Sequence, residues 1–167
     1  MNTQAPLLVL GWGNPCRGDD ALGPLLVERL LAQAGDLVDR GMLQGLTDFQ
    51  LQIEHALDLA GRRHVLFVDA ARDLAEPFVV RTLAPHAAPT PFTHALAPEA
   101  LLHVAERLHG QPPPPATLLA LRAHRFDFGA PLTDAATQAL QAGLAWALAW
   151  LRAQAASAAG CGSRGSA

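Results

Sequence analysis

The sequence predicts an α/β protein, a three-layer α/β/α sandwich built on a mostly parallel sheet of about five strands. Three observations carry that reading. Continuous apolar runs such as Leu7-Leu8-Val9-Leu10 and Val65-Leu66-Phe67-Val68 read as strands buried on both faces. They alternate with segments whose apolar residues recur at helical spacing. Half of the 167 residues are hydrophobic and only 16% are charged, which is enough apolar material for one substantial core. The expected organisation is one domain over residues 1–154 and a disordered tail of Ala, Gly and Ser over 155–167.

The first strand, Leu7 to Leu10, ends at Gly11. After the turn GWGNPCRG, Asp19 or Asp20 is placed to cap a helix from Ala21 to about Gln33, with Leu22, Leu25, Leu26 and Leu30 on its apolar face. Pro24 fits in its first turn, where a missing N–H costs nothing. A short strand is expected at Asp36 to Asp39, and a helix at Asp48 to Leu59 that Gly61-Arg62-Arg63 stops. His64 to Val68 is the clearest strand and delivers Asp69 at its C-terminal end. Phe78 to Leu83 is extended, and Pro98 opens a helix to about Leu108. Past the stiff connector Pro112 to Pro115, Ala116 to Leu121 is a strand. Thr133 then caps a final helix from Asp134 to about Gln154.

Composition also excludes. The net charge is −3, and no stretch supplies the concentrated basic face that nucleic acid requires. The N-terminal segment lacks a basic region, and every apolar run is too short to span a membrane. The expectation is a cytoplasmic monomer. Cys16 and Cys161 lie too far apart to suggest a disulfide framework.

The loop Gly11-Trp12-Gly13-Asn14-Pro15-Cys16 invites a dinucleotide reading and fails it. The third glycine of GxGxxG is missing, and Asp19 and Asp20 stand where a pyrophosphate wants N–H groups. In a doubly wound sheet, the loops beyond strand C-termini converge at one crevice, so carboxylates following two different strands form a plausible metal pocket. One imidazole would complete it. His64 begins a strand at the far end, while His55, His103 and His109 fall on helical segments and read as solvated. His94, in FTHALAP before a helix, and His124, after the last strand, are the candidates. Phe126 and Phe128 read as alternating packing against the sheet. From residues alone the site is a metal-responsive crevice.

The segment LLVLGWGNPCRGDDALG, the strand end VLFVDA and the pair Thr93-His94 together resemble the hydrogenase maturation endopeptidases. These trim the C-terminus of a nickel–iron hydrogenase large subunit after nickel insertion. Peptidyl-tRNA hydrolases share a GLGNPG-like turn but continue into a TRHN-type segment absent here. The resemblance implies a peptide-bond hydrolase acting on a large-subunit precursor, with Asp20, Asp69 and His94 as metal-contacting residues. Asp20 and Asp69 are also the implied catalytic carboxylates. The implied cofactor is nickel, brought by the substrate. Some members place the histidine a few residues later, where this chain has Glu99, so Glu99 and His124 stand as alternative third ligands. QLQIE, from Gln50, is similar to the QLQPE of the branch serving bidirectional or NAD-reducing hydrogenases, with Ile53 in place of the more common Pro. A non-enzymatic chaperone for the large subunit would use the same pocket without turnover.

Overall fold

The computed structural model describes residues 4–87 and 96–160. Strand β1 (Leu7–Trp12) leads through a 3-10 turn, Gly18–Ala21, into α1 (Leu22–Gln33) and the single-turn α2 (Gly35–Asp39). There follow β2 (Leu43–Asp48), a 3-10 segment Ile53–Leu59, β3 (His64–Ala71) and β4 (Phe78–Leu83). The chain continues through α3 (Pro98–His109) and β5 (Ala116–Arg122) to α4 (Asp134–Gly160). The five strands form one sheet in the order β2-β1-β3-β5-β4, parallel throughout except for β4, which runs antiparallel to β5.

Alternation along the strands builds the three layers. Leu7 and Val9 of β1, with Leu66 and Val68 of β3, pack against Leu22, Leu26 and Leu30 of α1 and Ala139, Leu140 and Leu144 of α4. The intervening Leu8, Leu10, Val65 and Phe67 pack against Leu59 and α3 residues Leu101, Leu102 and Ala105. A strand buried on both faces needs no polar positions, so its sequence shows an unbroken apolar run.

Three expectations are corrected. Asp36–Asp39 is helix, and the strand comes later at Leu43–Asp48. Gly41 and Gly45 mask that strand in the sequence. Gly45 is there because a Cβ would strike Leu31 and Val27 of α1. The helix expected from Asp48 is a 3-10 segment starting only at Ile53, because Asp48 belongs to β2. Finally, α4 continues to Gly160, past Gln154 and into the expected tail, in keeping with the high helix propensity of its alanines.

Candidate functional site

The order β2-β1-β3 sends the chain to one side of β1 and then back to the other, so the switch point lies between β1 and β3. Asp20 comes from the loop after β1, and Asp69 from near the C-terminal end of β3, which runs on to Ala71. By strand alternation Asp69 shares the α3 face of the sheet with Val65 and Phe67.

The first loop is shaped by close approach. Gly13 has φ 143°, a region that L side chains rarely adopt, and a Cβ there would press on the carbonyl oxygen of Asp20. The next residue, Asn14, donates its backbone N–H to Asp20 Oδ2 at 2.8 Å. Gly11 and Gly23 let α1 lie directly on β1, since a Cβ on Gly11 would meet the Gly23 carbonyl. The glycines of this motif therefore serve packing and carboxylate placement.

Neither acid caps α1, whose N-cap is Ala21 with no side-chain bond. Asp19 and Asp20 do different things. Asp19 is fully buried. Its Oδ2 accepts the backbone N–H groups of His124 (2.8 Å) and Arg125 (3.1 Å) and the hydroxyl of Thr133 (2.8 Å). Its Oδ1 accepts the Thr133 N–H at 2.8 Å. Burial pushes its pKa up, but these bonds outweigh it and hold the carboxyl below its ordinary value. Thr133 does cap α4 as the sequence predicts, its Oγ1 accepting the Ala136 N–H at 3.2 Å.

Asp69 has the opposite surroundings. Burial drives its pKa up to about 7; the Ala70 N–H opposes that rise, and the negative charge of Asp20 adds to it. The two carboxylates thus repel one another through their charge. Among the described residues, the ion pairs are His55–Asp48, Arg81–Glu99 and His103–Glu106, and none includes Asp20 or Asp69.

The third position is less complete. His94 lies outside the described residues. Glu99 is turned to Arg81 of β4, at 3.5 Å, and the backbone N–H of His124, not its ring, donates to Asp19. Among the described residues no three His, Cys, Asp or Glu side chains are grouped to hold a metal ion. Two histidines depart from the solvated expectation. His55 Nδ1 accepts the Gln52 N–H at 2.9 Å, which leaves Nε2 to donate to Asp48, 3.3 Å away. His109 Nε2 lies 3.1 Å from the Ala56 carbonyl oxygen. Phe126 packs against the core as expected, under the Arg72 guanidinium 4.2 Å from its ring centroid, whereas Phe128 is 82% exposed.

Sequence reasoning missed the division of labour between the two adjacent acids and the role of Asn14. The only local signal was that one helix needs one cap and the chain offers two acids.

No protein-family model and no curated protein matches the chain in sequence. Solved structures do match in fold. The hydrogenase maturating endopeptidase HybD from E. coli superposes with a TM-score of 0.65 at 23% identity, over 89% of this chain and 93% of that one. The hydrogenase maturation protease HycI from Thermococcus kodakarensis KOD1 also gives 0.65, at 19% identity over 90% and 95% of the two chains. A hydrogenase 2 maturation peptidase from a Thaumarchaeota archaeon gives 0.58 at 20% identity, over 87% and 97%. The chain therefore has the fold of the hydrogenase maturation proteases. Among the described residues no helix is long and apolar enough to cross a membrane.

Proposed function

We propose that this protein is an endopeptidase that removes a C-terminal extension from the large subunit of a nickel–iron hydrogenase, reading the nickel that the substrate already carries. The observation that supports this most is the Asp20–Asp69 pair, set at the switch point of this fold with no cation partner among the described residues. Two carboxylates that repel one another, one of them partly desolvated, are unfavourable by themselves and favourable around a cation.

The donor chemistry fits nickel held jointly with a partner. Asp20 and Asp69 offer oxygen, and His94 would add an imidazole nitrogen. The substrate's cysteines would supply soft thiolates. A protein shell of only three ligands leaves room for those of the substrate, so recognition requires the loaded precursor. Asp69 must release its proton to become a ligand, which couples docking to pH. The QLQIE segment, held by the His55–Asp48 and His55–Gln52 contacts, favours a large subunit of the bidirectional or NAD-reducing type. The protein works as a cytoplasmic monomer.

Incubation with nickel-loaded and nickel-free precursor, side by side, tests the reading. Shortening of the loaded form alone, by one defined peptide, is expected. Equal cleavage of both forms overturns nickel recognition. Stable binding of the loaded form without shortening overturns the protease and makes the protein a chaperone.

A further inference from the structure

The loop of residues 123–133 touches both segments that carry the site's carboxylates. The Ala123 N–H donates to the Ala71 carbonyl at the end of β3, two residues past Asp69. At its other side the same loop grips the first loop. Besides the four bonds to the Asp19 carboxylate, the Asp19 N–H donates to the Arg125 carbonyl at 2.8 Å. Arg17 Nε donates to the Phe126 carbonyl at 3.1 Å, and the Gly129 N–H to the Cys16 carbonyl at 2.7 Å. The link to Ala71 fixes the loop of residues 123–133 on β3, and the links to residues 16–19 fix the first loop on it.

We propose that Asp19 is a positioning residue that sets the placement of the Asp20 carboxylate relative to Asp69, an inference about the reaction that rests on the function proposed above. Asp20 follows Asp19 directly, and among the described residues its own side chain is held only by the Asn14 N–H. Its placement therefore depends on where the buried Asp19 is held. A carboxylate suits that task because all four of its partners are donors. An amide cannot replace it fully. With Asn the side-chain oxygen can keep the three donors at Oδ2, but an NH2 group then faces the Thr133 N–H. A clamp this complete on a residue next to a candidate ligand holds the site to a narrow geometry before the substrate arrives.

The test uses Asp19→Asn, Thr133→Val and Thr133→Ser, each assayed below its melting transition. Thr133→Val deletes the hydroxyl bond to Asp19, and Thr133→Ser keeps it. Processing of nickel-loaded precursor gives kcat and KM. The backbone amide proton resonance of Asn14 in the free, isotope-labelled protein reports directly on the Asp20 carboxylate. The expected result is a loss of kcat of about tenfold in Asp19→Asn and a smaller loss in Thr133→Val, with KM little changed. The Asn14 resonance moves upfield in both, and Thr133→Ser behaves as the parent on every count. A purely structural role would lower the melting temperature and leave kcat and the Asn14 resonance of the folded fraction untouched. Unchanged kcat in folded Asp19→Asn overturns the proposal, and if that variant does not fold, unchanged kcat in Thr133→Val does so. A parent that leaves every precursor uncut overturns the proposed function instead. In that case an unmoved Asn14 resonance separately overturns the clamp geometry.

Discussion

Asp19 sits in a loop junction where three backbone N–H groups and a hydroxyl converge on its carboxylate, whereas Asp69, near the C-terminal end of β3 where the crevice is expected, has one backbone N–H and the charge of another acid. Asp19 is fully buried and Asp69 partly so, and burial raises the pKa of each; only at Asp19 do the hydrogen bonds outweigh it. The donors around Asp19 satisfy its charge, and the one at Asp69 does not outweigh its burial. A buried carboxylate with its full set of donors belongs to the scaffold. One whose pKa is raised by burial and by a second acid, with no ion-pair partner among the described residues, is a candidate for a functional role.

The largest effect that sharpens this contrast is expected from Asp69→Asn. The amide keeps the shape but loses the anionic donor, and processing of loaded precursor should fall by about a hundredfold or more. Stability should move the other way. An acid whose folded pKa exceeds its unfolded value binds more protons when folded, so its contribution declines as pH rises from about 4 to about 7. At pH 8 the parent carries the full penalty. With one pKa unit equal to about 1.4 kcal/mol, Asp69→Asn should gain at most about 4 kcal/mol there and almost nothing at pH 4. Denaturant unfolding at the two pH values checks this. A variant that both unfolds and stops processing would make Asp69 a scaffold residue like Asp19.

Asp19→Ala should move stability the opposite way. It strands three buried N–H groups and one hydroxyl, and the loss should be about 3 kcal/mol. Calorimetric melting near neutral pH measures it. The sign in pH is also opposite. The lowered pKa of Asp19 means that its contribution is present above its ordinary carboxylate range and is lost as pH falls through the folded value. A loss below about 1 kcal/mol would show that the loops hold together without the carboxylate.

This contrast also explains how far the sequence can be read. β1, β3 and β5 were legible because burial on both faces leaves an unbroken apolar run. β2 was not, because Gly45 makes sense only against Leu31 and Val27 of α1, a tertiary contact. Asp20 and Asp69 stood out as acids following strands. The role of Asp19 was hidden because Thr133, which gives it two of its bonds, lies 114 residues further on. His55 misled in a similar way, since its exposure was judged from helical position while its partners, Asp48 and Gln52, fix it from outside that helix.

A smaller effect concerns pH and the crevice alone. Asp69 must shed its proton to meet a metal, so the affinity for nickel-loaded precursor should weaken by about tenfold for each pH unit below about 7 and level off above it. Calorimetric titration between pH 5.5 and 8.5 would show it, with one proton released on binding at the acid end. Asp69→Asn should lose that dependence. A flat profile in the parent would mean that Asp69 binds nothing, and the crevice would no longer differ from the junction in kind.

The smallest expected effect on stability comes from the other half of the DD pair. Among the described residues the Asp20 side chain accepts one hydrogen bond, from the Asn14 N–H, and Asp20→Asn can keep it by presenting its carbonyl oxygen at the same place. It also removes one of two repelling charges, which should lower the Asp69 pKa toward the ordinary carboxylate range. The lost charge offsets little else, so folding stability near neutral pH should stay within about 0.5 kcal/mol of the parent. Processing should still fail, because the oxygen left behind is neutral and binds a metal weakly. Thus two neighbouring aspartates, changed in turn to the same amide, are expected to separate the two tasks. Asp19→Asn should cost stability and part of kcat, and Asp20→Asn should cost function with almost no stability. Melting curves and processing assays on the two variants decide it. If Asp20→Asn destabilises the protein as much as Asp19→Asn does, both acids belong to the junction, and the crevice retains Asp69 alone.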